Sequence, residues 1–281
     1  MKIRFSKLKN FPTVSLRPGA YRQASEDVPS TAAGYRNHLR WWDIAALTAI
    51  MWGSSIYSST VEFFSQSASE DRAAAADVAA QDFSAADNLW ALLNQSGLLL
   101  LAIGYLVLRR FNFRQWIIAP SLRGTFVAVG VFLASGIVYE VAYALQQLVS
   151  FDGAAAAAEA EGALSAGDTP LQGITDPSLV VYSLFNGFYE EIFFLGICLA
   201  VSARYRALAF VYSLVIRFSF HTYMGLFNAT CLALIVGGIY YLVWRKCTGK
   251  NLYPLIAAHA ASDIFGVGVL QFLPEGFTLL P

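Results

Sequence analysis

Glu190, Glu191, Arg217, His221, His259 and Asp263 all stand inside long apolar stretches of this chain. Little around them solvates charge. A charged side chain at the centre of a bilayer costs at least ~2.5–3.5 kcal/mol, so such groups are packed inward and paired, and function is the first hypothesis for them. Glu190 and Glu191 are adjacent in "FNGFYEEIFFLG", residues 185–196. On a helix they project about 100° apart, so they cannot both address one target. The spacing predicts that one of them faces a central cavity while the other contacts a neighbouring helix. His259 and Asp263 in "HAASD", and Arg217 and His221 in "RFSFH", are each four apart and share a helix face. Glu140 is a further acid inside an apolar stretch.

Two carboxylates and two imidazoles suffice for hydrolysis. Glu190 can take a proton from a water and make it a nucleophile. His221 can hold that water or share the proton. His259 and Asp263 can stabilise the oxyanion that forms on a peptide carbonyl. An ionised Asp263 would repel that oxyanion, so it is either protonated and a donor or serves to orient His259. A second chemistry uses Glu190, His221, His259 and Asp263 as ligands of a divalent metal such as zinc, although no HExxH is present. A proton relay in a transporter is a third, and polar packing between helices is the plain structural alternative.

The elements that carry these residues are hydrophobic. The chain has 281 residues, 57% of them hydrophobic, with a mean hydropathy of +0.51. Only 14% are charged, against about 25% in a soluble domain. The fold class implied is an all-α polytopic membrane bundle. Net charge is zero, which gives no case for nucleic acid as a partner; the partners expected are the lipid bilayer and a protein or peptide substrate within it. Cys198, Cys231 and Cys247 match neither a disulfide framework nor a zinc motif. The first 40 residues lack an apolar core, so no cleaved signal is expected.

Stretches of about 20 apolar residues are read at 42–64, 89–108, 125–149, 178–202, 207–222, 226–244 and 252–272. With these alternating, every basic residue except Arg72 and Arg217 falls on one side, while the acids Glu70, Asp71, Asp77, Asp82, Asp87, Asp152, Glu159, Glu161, Asp168 and Asp176 fall on the other. The positive-inside rule then places the N-terminus in the cytoplasm, in a plasma (inner) membrane. A rise of ~1.5 Å per residue permits Glu190, His221, His259 and Asp263 to meet at one depth. The organisation expected is a basic tail at 1–40, three spans with acidic Ala-rich outer loops at 41–177, a four-helix catalytic core at 178–272 and a short tail at 273–281. Residues 111–124, which mix Phe, Trp, Ile and Arg, read as an interfacial segment.

The adjacent Glu pair, the His late in the next helix and the HxxxD of a later one resemble the CPBP family, the type II CAAX prenyl endopeptidases and related bacterial Abi proteases. Its motifs EExxxR, FxxxH and HxxxN/D are matched by "EEIFFL" (190–195), "RFSFH" (217–221) and "HAASD" (259–263). The resemblance implies an intramembrane, glutamate-dependent endopeptidase. Glu190 would be its base, His221 the base's partner, and His259 with Asp263 the oxyanion pair. Two positions depart from the motifs: Leu195 stands where the family has Arg, and Arg217 where it has Phe. Arg217 is therefore expected to supply the missing cation, to Glu191 or else to Glu140. The competing readings are a non-catalytic membrane immunity or binding protein on the same scaffold, and an ion-coupled transporter. The paired repeats common in transporters are not evident.

Overall fold

The computed structural model describes residues 34–68, 84–149, 175–269 and 272. Expectations for the basic tail before residue 34, the acidic stretches 69–83 and 150–174, and the C-terminal residues 273–281 lie outside the described residues. The chain forms helices α1 (Trp41–Ala68), α2 (Ala85–Leu108), α3 (Leu122–Val149), α4 (Pro177–Glu191), α5 (Arg206–Phe220), α6 (Leu226–Lys246) and α7 (Tyr253–Phe265). Helix α4 runs on into a π-helical turn, Ile192–Ile197, and α6 holds another, Cys231–Val236. Among the described residues there are isolated β-bridges but no strand. The architecture is the expected helical bundle.

Among the described residues, four helical segments are long and apolar enough to cross a membrane: Trp41–Ser65, Ala85–Leu108, Leu122–Gln146 and Leu226–Lys246. Helix α4 with its π-helical continuation runs from Pro177 to Ile197, whereas α5 and α7 have 15 and 13 residues. At ~1.5 Å per residue α5 and α7 are short of the ~30 Å hydrocarbon layer. The last apolar stretch is read to 272, but its helix stops at Phe265, where Gly266 takes φ +78°. Helices α4, α5 and α7 carry the candidate residues. Helix α7 packs chiefly on α4 and α3 and presents no exposed large apolar side chain among its described residues. It is the central element, and longer helices surround it.

Local signals set the helix ends. Ser84 and Asp87 form a reciprocal capping box at the start of α2. Asp176 accepts from the Ser178 amide at 2.8 Å and the next residue is Pro177, a favourable first helical position.

Hydrogen bonds show the alternation of the helices. At one end, Leu39 N–H donates to Ala200 O, Arg36 N–H to Arg110 O, Asn112 N–H to Arg36 O and Leu252 N–H to Ile117 O. Residues before α1, after α2, after α4 and between α6 and α7 thus meet there, and these are the basic connections. At the other end, Ser59 on α1 bonds Thr222 after α5, Asn88 on α2 bonds Ser178 on α4, and Glu140 on α3 accepts from the Val269 amide. Each helix therefore runs opposite to the one before it.

The middle is closed by aromatic packing. Trp52 of α1 stacks on Phe220 at 4.2 Å and on Phe194 at 5.5 Å between centroids. Helices α4 and α7 approach closely at Gly187, where a Cβ would lie 2.8 Å from Ile256 O and 3.2 Å from His259 Cβ. Only glycine allows that approach, and it brings the glutamate pair one turn later up to His259.

Candidate active site

The paired glutamates have different neighbours. Glu191 is fully buried, and its Oε1 accepts from Arg217 Nη2 at 2.7 Å and from His259 Nδ1 at 2.8 Å. Arg217 is itself buried, and its guanidinium lies 4.2 Å from the Phe194 ring centroid and 5.8 Å from that of Tyr240. Gly237 of α6 packs against α5, where a Cβ would lie 2.8 Å from Leu214 Cδ2 and in ordinary contact with Arg217. Leu195 is buried in the apolar core. The cation nearest Glu191 thus comes from α5 rather than from α4, and Glu140 is engaged with the backbone near Val269 instead.

Glu190 has no cation at hydrogen-bond distance. Its Oε1 is 3.4 Å from Asn186 Nδ2, its Oε2 is 3.7 Å from His259 Nε2, and Oε2 is buried with no hydrogen-bond partner among the described residues. Asp263 completes the group: its Oδ2 accepts from Asn186 Nδ2 at 2.9 Å and its Oδ1 lies 3.6 Å from His259 Nε2. Glu190, Glu191, Arg217, His259 and Asp263 therefore form one connected cluster built by α4, α5 and α7.

His221 caps the C-terminus of α5. Its Nδ1 lies 2.7 Å from Arg217 O. A carbonyl only accepts, so Nδ1 carries the proton and a neutral ring keeps its lone pair on Nε2. The ring packs on Phe220 at 4.1 Å between centroids, and His259 is within electrostatic reach.

All of these groups lie between residues 186 and 263. Residues 176–265 match the family of type II CAAX prenyl endopeptidases, Rce1-like. The match agrees with the CPBP resemblance of the motifs. It spans α4 to α7 and leaves α1, α2 and α3 outside. Comparison with curated proteins and with solved structures gives no match. The helices able to cross a bilayer, together with the segment similar to the Rce1-like endopeptidases, mark the chain as an integral membrane protein.

Several residues beside the Rce1-like motifs escaped the sequence reading. Asn186 is one turn before Glu190 and bridges it to Asp263. Gln95, on α2 and outside the matched segment, donates to Asn186 Oδ1 at 2.8 Å and so turns the Asn186 amide towards the two carboxylates. Tyr182 and Tyr223 lie within electrostatic reach of Glu190 and Asp263. Asn186 had a usable signal, its four-residue spacing from Glu190. Gln95 had a weaker one, an uncharged amide in an apolar span.

His259 Nε2 faces Glu190 and Asp263, but no three His, Cys, Asp or Glu side chains among the described residues converge as a metal cage. The arrangement does not fit an ion held by Glu190, His221, His259 and Asp263 together.

Proposed function

We propose that this protein is an intramembrane glutamate-dependent endopeptidase that cleaves a membrane-associated peptide or protein. The observation that carries the reading is the asymmetry of the glutamate pair. Each glutamate keeps one buried oxygen without a partner among the described residues, but the other oxygen of Glu191 is held by Arg217 at 2.7 Å and His259 at 2.8 Å, whereas Glu190 has no cation within hydrogen-bond distance. A base must be within hydrogen-bond reach of the water it activates and must not be neutralised by a fixed cation. Glu190 meets that requirement better than Glu191 does.

In the proposed reaction Glu190 removes a proton from water, and the oxygen attacks the peptide carbonyl. His221, with its lone pair on Nε2, orients the water or shares the proton. His259 is aimed by Glu191 through Nδ1, and a proton on its Nε2 would donate to the oxyanion. Asp263 accepts from Asn186, which supports an orienting role for it over direct donation to the oxyanion. The protonated base then delivers its proton to the leaving amine. Arg217 and Glu191 serve as positioning residues for His259.

The test is cleavage of a membrane-anchored peptide by protein reconstituted in liposomes, followed by mass spectrometry. Glu190→Gln and His221→Ala are each expected to lower the rate by at least about 100-fold at unchanged protein level. Equal cleavage by wild type and both variants would sink the roles given to Glu190 and His221, and no cleavage by wild type would favour a binding or immunity role.

A further inference from the structure

His221 stands where a helix is least rigid, at its end. It caps α5, and the chain then turns through Thr222–Met224 into Gly225, whose φ of +86° favours glycine. Helix ends fray, and the Nδ1 contact of His221, to Arg217 O, lies within the same last turn. A hold on this ring therefore has to come from another element. Helix α1 supplies it. Along α1, Thr48 bonds Tyr212 at 2.8 Å, Trp52 stacks on Phe220 at 4.2 Å, and Ser59 reaches the turn beyond. These contacts follow α5 from its middle to its end. Phe220 touches both Trp52 and the His221 ring, the latter at 4.1 Å between centroids.

Ser59 fixes the turn itself. Its Oγ lies 2.9 Å from Thr222 Oγ1 and accepts from the Tyr223 N–H at 2.9 Å. Thr222 gives its hydroxyl proton to Ser219 O at 3.1 Å, so towards Ser59 it can only accept. Ser59 thus donates to Thr222 and accepts from Tyr223 at once, which a hydroxyl can do. The two residues it ties follow His221 directly in the chain. Ser59 is buried, so water does not readily take over these bonds, and a variant without the hydroxyl strands the Tyr223 N–H.

We propose that Ser59 is a positioning residue for His221: it pins the turn after α5 and so fixes the place of the imidazole in the site. The inference rests on the endopeptidase reading above. It extends the working site to α1, which lies outside the Rce1-like segment.

The full chain in liposomes is assayed for cleavage and, in parallel, for amide hydrogen exchange across the Thr222–Met224 turn by mass spectrometry. Ser59→Ala is expected to speed exchange there and to lower kcat about 10- to 100-fold, the scale of a misplaced catalytic group, with KM and the amount of folded protein little changed. Ser59→Thr keeps the hydroxyl and is expected to restore both readouts. Thr222→Val removes one of the two bonds and is expected to lose less than Ser59→Ala. The double variant Ser59→Ala with Thr222→Val is expected to lose no more than Ser59→Ala alone, because both act through one turn. That comparison decides the question if the extra methyl of Ser59→Thr does not fit. Wild-type kcat in Ser59→Ala would overturn the positioning role. So would a fall in kcat without faster exchange, or a double variant whose loss is the product of the two single losses. No cleavage by wild type would instead count against the endopeptidase reading, and faster exchange in Ser59→Ala would then make Ser59 a structural clamp with no positioning role.

Discussion

Glu191 takes two donors on one oxygen, Arg217 and His259, and both bonds are short. Removing one partner of a buried ion pair strands the other charge, at a cost of about 3–5 kcal/mol. Arg217→Leu is therefore expected to lose stability on that scale, read as a fall in the thermal midpoint in detergent. Adding Leu195→Arg returns a cation to a buried position one turn after Glu191. Partial recovery is the expected result, and no recovery would mean that Arg217 acts through more than its charge, for instance through its stacking on Phe194. Asn186 is the matching residue on the other side of the cluster. Asn186→Leu keeps the volume but removes the donor to Asp263 and Glu190. A drop of about 10- to 100-fold in kcat, with a displaced pH–rate profile and little change in KM, is expected by analogy with the loss of outer-shell hydrogen bonds. A purely structural role would instead lower the amount of folded protein and leave the profile where it was.

At the scale of elements, the site depends on how closely α4 and α7 approach. Gly187→Val would set side-chain atoms against Ile256 O and push the helices apart. It is expected to abolish folding or activity, whereas Gly238→Ala, with open space around its Cβ, is expected to be tolerated and to raise stability by up to about 1 kcal/mol. Thermal unfolding of the two variants compares them directly. The seven apolar segments and their alternation were legible in the sequence because hydropathy and charge are strong signals. The lengths of α5 and α7 were not, because hydropathy marks burial in protein and burial in lipid alike. The π-helical turn that follows Glu191 left no mark in residue types. The titratable residues of the site were legible because charge in an apolar run is conspicuous. Gln95 and Asn186 were not, since a neutral amide costs little to bury once it is hydrogen-bonded.

At the scale of the whole molecule, the gathering of basic connections at one end makes orientation testable with the chain's own cysteines. Cys198 and Cys231 are buried, and Cys247 is exposed just after α6, at the basic end. The positive-inside rule places that end in the cytoplasm. A membrane-impermeant maleimide is expected to label Cys247 in inside-out vesicles and not in intact cells, and Cys247→Ser is expected to remove the label. Placed in that background, Ala86→Cys puts a thiol on the exposed first turn of α2, at the opposite end. Its labelling is expected to be the reverse, present in intact cells and absent in inside-out vesicles. If both positions exchange sides, the alternation stands and the orientation is inverted. If both label from the same side, the alternation itself fails. The shared depth of Glu190, His259 and Asp263 would then need another arrangement of α4 and α7.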